Sequence, residues 1–164
     1  ETTISKDIQS FYFRFSTQGN NSGYEIASDL LPHGLSLLLY LFGTRTISCI
    51  KQVALRNTYC CQFRYGDCQV KFDFQELRNG PKDMVFKINE REFSRIQSGY
   101  GTTYQVCLSD KKGSRIIELH DPFQVAIKRF IDFCRGTSRK VPDDFDLQAT
   151  NMRLMADILL EDSK

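Results

Sequence analysis

The stretch that most constrains the fold of this 164-residue chain is YCCQFRYGDCQVKFDF, residues 59–74. Tyr59, Cys61, Phe63 and Tyr65 alternate with Cys60, Gln62 and Arg64; beyond Gly66-Asp67, Val70, Phe72 and Phe74 alternate with Lys71 and Asp73. A period of two sends alternate side chains to opposite faces of a strand, and a two-residue turn with glycine joins antiparallel neighbours. The pattern therefore predicts a hairpin with one apolar face, which must be buried against another layer. The same period at Phe11, Phe13 and Phe15, with Tyr12 and Arg14 between them, predicts a strand of about six residues. Further strands are predicted over 83–89, 102–109 and 115–119, with breaks at Asn79-Gly80-Pro81 and Asp110-Lys111-Lys112-Gly113.

Helical periods bracket the strands. The loop-forming STQGNNSG leads into a helix predicted from Tyr24 to Phe42, with Gly43 as its stop. Pro32 restricts where this helix can begin, because proline is comfortable in a first turn. Near the end, Phe123, Ala126, Ile127, Phe130 and Cys134 follow helical spacing, while Lys128, Arg129, Asp132 and Arg135 take the other side. Asp121-Pro122 is its start signal and Gly136 its stop. A last helix is predicted from about Phe145 to Leu160, with Leu154, Met155, Ile158 and Leu159 as its apolar side. The expected fold is α+β: an open, largely antiparallel (mixed) sheet with helices packed on one face, forming a single domain over residues 1–164.

Charge and composition exclude several classes of partner. The 22 lysines and arginines nearly balance 20 aspartates and glutamates, and no run of like charge exceeds a pair, so no nucleic acid or anionic membrane is expected as a partner. The apolar run from Leu30 to Phe42 is shorter than the roughly 20 residues that span a bilayer, and it contains His33. No secretory signal opens the sequence, so a cytoplasmic location is expected. Six cysteines form no Cys-x-x-Cys pair and lie far in sequence from His33 and His120, which predicts buried free thiols and no metal site.

The stretch SDLLPHGLSLLLYLFG, residues 28–43, carries the chemistry. Asp29, His33, Ser36 and Tyr40 share one stripe of a helix otherwise covered by leucine and phenylalanine. Unpaired polar groups inside a protein cost about 1–3 kcal/mol, so this edge must face a cavity, water or a polar partner. Two readings fit the spacing. Asp29 and His33 satisfy each other as a structural pair, or they handle protons, with His33 accepting one from a substrate hydroxyl and Asp29 orienting the ring.

The segment GYEIASDLLPHGLSLLLYLFG resembles the start of the long helix in the second domain of the Gfo/Idh/MocA (glucose-fructose oxidoreductase/inositol dehydrogenase-like) family, with Asp29 and His33 on that motif's aspartate and histidine. DPFQVAIKRFIDFCRG and ATNMRLMADILLEDS are similar to the family's two closing helices, the second ending near a characteristic serine, here Ser163. Gly23 alone remains of the family's glycine cluster, and Leu31 stands where glycine is frequent. The resemblance implies the substrate and oligomerisation domain of an NAD- or NADP-dependent oxidoreductase acting on a sugar or polyol hydroxyl. It implies Asp29 and His33 as the catalytic pair, a separate N-terminal Rossmann domain to hold the cofactor, and a homo-oligomer formed through the open sheet face. The sequence supplies no dinucleotide loop of its own: Gly99-Tyr100-Gly101-Thr102-Thr103-Tyr104 lacks a third glycine and leads into a strand, so no cofactor and no activity are expected of the chain alone. The alternative is a noncatalytic binding or dimerisation module on the same scaffold.

Overall fold

The alternating segments pair into one eight-stranded sheet in the computed structural model, which describes residues 8–99, 105–111, 116–119, 127–128, 131–132, 134–137 and 144–161. In chain order the elements are β1 (Ser10–Thr17), α1 (Tyr24–Phe42), β2 (Ile47–Leu55), β3 (Thr58–Tyr65), β4 (Cys68–Glu76), β5 (Asp83–Ile88), β6 (Arg91–Ser98), β7 (Gln105–Asp110), β8 (Ile116–Leu119) and α2 (Asp144–Leu160). The strand order is β2-β3-β4-β1-β5-β6-β7-β8. Strand β1 runs parallel to β4, and the other pairings are antiparallel, so the sheet is mixed and open as expected. Tyr65 pairs with Cys68 across Gly66-Asp67, and Gly66 adopts φ +60°, a conformation that favours glycine.

Register builds the core. Phe13 stands opposite Phe72 on one side and Phe86 on the other, and Phe15 stands opposite Phe74 and Met84. With Phe11, Tyr59, Phe63 and Tyr65 these rings form an aromatic floor, much of it in edge-on contact, as between Phe63 and Phe72 at 5.4 Å. Helix α1 lays Leu30, Leu31, Leu35 and Leu38 on that floor. Each such side chain contributes about 1.5–3 kcal/mol when fully buried. Gly34 permits the closest approach: a Cβ there would stand 2.9 Å from ring carbons of Phe72 and 3.1 Å from Phe13.

Helix α2 packs beside α1 and reaches β2, with Leu154 and Ile158 buried and Met155 and Leu159 partly so, in line with its helical period. Tyr59 donates its hydroxyl to Gln52 Oε1 at 2.6 Å, and Gln52 Nε2 donates to the Ile158 carbonyl at 3.0 Å, tying β3, β2 and α2 together.

The structure corrects four expectations. Strands β2 and β6 were not foreseen: a bulge between Ser48 and Lys51 breaks the alternation of β2, and REFSRIQS in β6 is too polar to announce a strand. Pro32 lies in the interior of α1 rather than in its first turn. All six cysteines are free, but Cys49 and Cys134 are exposed. Residues 127–128, 131–132 and 134 are helical, yet Ile127, Ile131 and Cys134 face solvent. Phe123, Ala126, Phe130, His120, Ser163 and residues 100–104 lie outside the described residues. Among the described residues, no helix is long and apolar enough to cross a membrane.

Candidate functional site

Strand β1 delivers Phe15 near its C-terminal end, and α1, which follows through residues 18–23, carries His33 back over it. The two rings meet edge-on, with centroids 5.4 Å apart and planes at 82°. Asp29, His33, Ser36 and Tyr40 are all exposed, Tyr40 by 80%, so the polar stripe is open to solvent even where His33 rests on Phe15. Asp29 and His33 are joined by no hydrogen bond or ion pair, and among the described residues neither has such a partner. The stripe thus leaves an imidazole accessible, with a carboxylate one turn before it on the same face.

Phe15 also lines a cleft of about 590 Å³, within the usual range of small-molecule sites. Thr17, Lys82, Met84, Arg95 and Gln97 are among its other walls. Register explains why residues so far apart in sequence converge: Phe15 pairs with Met84 in β5, and β6 lies next to β5. Asp83, at the rim, is engaged by Arg14 at 2.6 Å, so its charge is already met. Lys82 and Arg95 are the basic side chains in its wall. An imidazole beside such a cleft can exchange a proton with a bound hydroxyl, and the basic side chains favour an electron-rich ligand.

The loop between β1 and α1 is fixed by Glu76, only 3% exposed at the end of β4. The Asn21 backbone N–H and Asn21 Nδ2 donate to its two carboxylate oxygens, each at 3.0 Å. A Cβ on Gly19 would overlap that carboxylate, so a larger residue there would have to displace the Glu76 side chain from Asn21. On the other flank, Asn151 of α2, 7% exposed, donates to the Pro32 carbonyl at 2.9 Å and to Ser36 Oγ at 2.6 Å. His33 therefore sits in a turn of α1 braced from the neighbouring helix.

Neither a family model nor a curated protein sequence matches the chain. Solved structures do. KijD10, a 3-ketoreductase from Actinomadura kijaniata in complex with TDP-benzene and NADP, is 12% identical with a TM-score of 0.57, over 94% of this chain and 52% of its own. The dehydrogenase MviM from Clostridium difficile is 11% identical with a TM-score of 0.58, over 95% and 55%. The UDP-N-acetylglucosamine 3-dehydrogenase GnnA from Acidithiobacillus ferrooxidans is 13% identical with a TM-score of 0.55, over 90% and 51%. The chain has the Gfo/Idh/MocA C-terminal-domain fold. At these identities the likeness is one of fold, and the chain spans about half the length of the solved structures it matches.

The Gfo/Idh/MocA fold raises the question of a nicotinamide cofactor, and the described residues do not fit one. The strand–loop–helix unit from β1 to α1 is the part of the chain most like a phosphate loop, but its Asn21 N–H is already given to Glu76, whose carboxylate fills the space beside Gly19. A pyrophosphate there would meet a buried negative charge. Among the described residues, no three His, Cys, Asp or Glu side chains cluster to hold a metal ion.

Asp29 and His33 are the candidate residues that the sequence singles out. Phe15 was legible only as a core position, and Lys82, Arg95 and Gln97 carried no signal, because cross-strand register alone brings them to the cleft. Asn151 was hidden on a helix whose period announced only its apolar side.

Proposed function

We propose that this chain is the substrate-binding and oligomerisation domain of an oxidoreductase acting on a sugar or polyol hydroxyl. The observation that carries the reading is the accessible His33 ring set against Phe15, which also lines the cleft. In the reaction, the substrate rests against Phe15 and the β5–β6 wall, and His33 takes the hydroxyl proton. Asp29, one turn earlier on the same face, stabilises the imidazolium that forms. NAD or NADP is held by a separate dinucleotide-binding domain of the complete enzyme; KijD10, which shares the fold, is in complex with NADP. The dehydrogenases and ketoreductase among the similar structures support a sugar-type substrate.

Copies of the chain associate through the sheet face opposite α1, where Gln69, Lys71, Asp73 and Gln75 alternate with buried core residues. Sedimentation of the chain at high micromolar concentration tests this, a monomer counting against it.

A second reading, a noncatalytic binding module, is favoured by the lack of a bond between Asp29 and His33. Turnover of the complete enzyme with a panel of sugars and polyols, with and without His33→Ala, separates the two. Calorimetric titration of the chain alone with NADH should show no binding, and micromolar affinity would overturn the assignment of the cofactor to another domain.

A further inference from the structure

The cleft beside His33 has two unlike ends. Phe15 and Met84, opposite each other in β1 and β5, form an apolar end next to the imidazole. The other end is built from β6, which contributes Arg95 and Gln97. Phe93, two residues before Arg95, stacks on the buried Phe86 ring at 4.9 Å, so alternation along β6 puts Arg95 and Gln97 on the core side of the sheet, as Phe93 is. Strand β5 lies between β1 and β6, so two strand spacings, about 10 Å, separate the strand of Phe15 from that of Arg95. Lys82, just ahead of β5, joins Arg95 in the wall. Its turn is tied to the end of β1 by Gln18, whose Nε2 donates to the Gly80 carbonyl at 3.0 Å.

Charge follows the same division. Asp83 is the one carboxylate among the described lining residues, and Arg14, outside the cleft, meets it at 2.6 Å. It therefore does not offset Lys82 or Arg95. At the imidazole end the nearest acid on the stripe is Asp29, one helical turn before His33 and exposed on the same face. An anion is thus favoured at the β6 end and repelled at the His33 end, which fixes the direction in which an asymmetric ligand lies.

We infer that the substrate of this cleft is a sugar or polyol carrying an anionic substituent, a carboxylate or a phosphoryl group, with Lys82 and Arg95 as specificity-determining residues. The inference rests on the proposed hydroxyl chemistry at His33 and narrows its substrate. The carbon skeleton lies on Phe15 and Met84, one hydroxyl reaches His33, and the anion lies between the ammonium and guanidinium groups. Arginine grips either anion bidentately, and lysine adds a point charge. Apolar surface with a few placed polar groups is the usual means of holding a small ligand in one orientation. The cleft, about 590 Å³, has room for one substituted sugar unit.

Turnover of matched pairs by the complete enzyme tests this: glucuronate against glucose, galacturonate against galactose, and glucose 6-phosphate against glucose. The acidic member is expected to have a kcat/KM at least about tenfold higher, and Lys82→Gln and Arg95→Gln are each expected to lower that preference about tenfold. The uronates and the phosphate tell a carboxylate from a phosphoryl group. Chemical-shift titration of the chain with the same compounds reads binding without turnover. Glucuronate or glucose 6-phosphate should move the backbone amides of Lys82, Met84 and Arg95 more than glucose does, and less in Lys82→Gln. Lys82 is exposed, so that variant should keep its melting temperature. Equal kcat/KM within every pair, equal shifts with glucose, or a preference untouched by both substitutions would overturn the inference, while a loss of turnover in His33→Ala would still uphold the chemistry at His33. Acid-dependent binding with no sugar turned over would support the anion site and overturn that chemistry instead.

Discussion

Asn151 on α2 reaches across to α1 and donates to the carbonyl of Pro32 at 2.9 Å. Proline has no N–H for the carbonyl one turn earlier, so α1 is weakened where Asn151 clasps it. The same amide nitrogen bonds Ser36 Oγ at 2.6 Å, while Asn151 Oδ1 is buried with no hydrogen-bond partner among the described residues. Asn151→Ala removes both bonds but also relieves that buried oxygen. The expected loss of stability is about 1 kcal/mol, read as a lower urea midpoint at unchanged slope.

Gly34→Ala sets two effects against each other. Alanine favours a helix over glycine by about 1 kcal/mol, but its methyl would stand 2.9 Å from the fully buried Phe72 ring. Overpacking of a filled core costs about 1–3 kcal/mol, and Phe72 is held by Phe11, Phe13 and Phe63. A net destabilisation is expected, seen as a lower melting temperature; a rise would mean the rings yield without cost.

His33→Ala in the complete enzyme should lower turnover by about 10²- to 10⁴-fold, the span of general acid–base catalysis. Folding should survive, since the side chain is exposed and its one described ring contact is with Phe15. Asp29→Asn should act in the same direction, with the double variant less impaired than the product of the single effects. Stopped-flow turnover beside melting curves checks both halves, and near-normal turnover in His33→Ala would move the chemistry elsewhere.

The open sheet face should titrate at both ends of the pH scale. Burial, then the neighbouring Asp73, pushes the Tyr12 hydroxyl up to about 12 and the Cys60 thiol up to about 11. Burial also pushes the Asp73 carboxyl upward, but hydrogen bonds from Cys60, Tyr12 and Lys71 together outweigh it and hold it below its ordinary value. A raised tyrosine pKa gives stability that is present below the unfolded value of 10.0 and lost as pH climbs toward about 12. A lowered carboxyl pKa gives stability that is present above the unfolded value of 3.8 and lost as pH falls through the folded one. Asp73→Asn should shift the Tyr12 ionisation toward 10.0, measured by phenolate absorbance against a Tyr12→Phe control, and should flatten the acid limb of the stability curve.

What was legible in the sequence tracks how local each signal is. The hairpin of β3 and β4 declares itself, because alternation and its glycine turn lie within sixteen consecutive residues of text, 59–74. Helix α1 was legible from Tyr24 to Phe42, although its interior proline argued against it; the buried leucine face outweighs one missing hydrogen bond. Strand β2 escaped because the bulge around Cys49 shifts its period midway. Strand β6 escaped because its partners β5 and β7, rather than its own apolar content, hold it in the sheet. At the candidate site, Asp29 and His33 share one helix and could be read as a pair, while Phe15, Lys82 and Arg95 meet only after three strands have found their register.

The parallel pairing of β1 with β4 has a consequence for synthesis on the ribosome. β1 is made first, yet its two neighbours, β4 and β5, begin at residues 68 and 83. Until then Phe11, Phe13 and Phe15 have no strand beside them, while the β2–β3–β4 meander can zip from its own short turns. The nascent chain therefore carries an unpaired aromatic strand until residue 68 and beyond have been made, and α1, already emerged, is the natural shield for it.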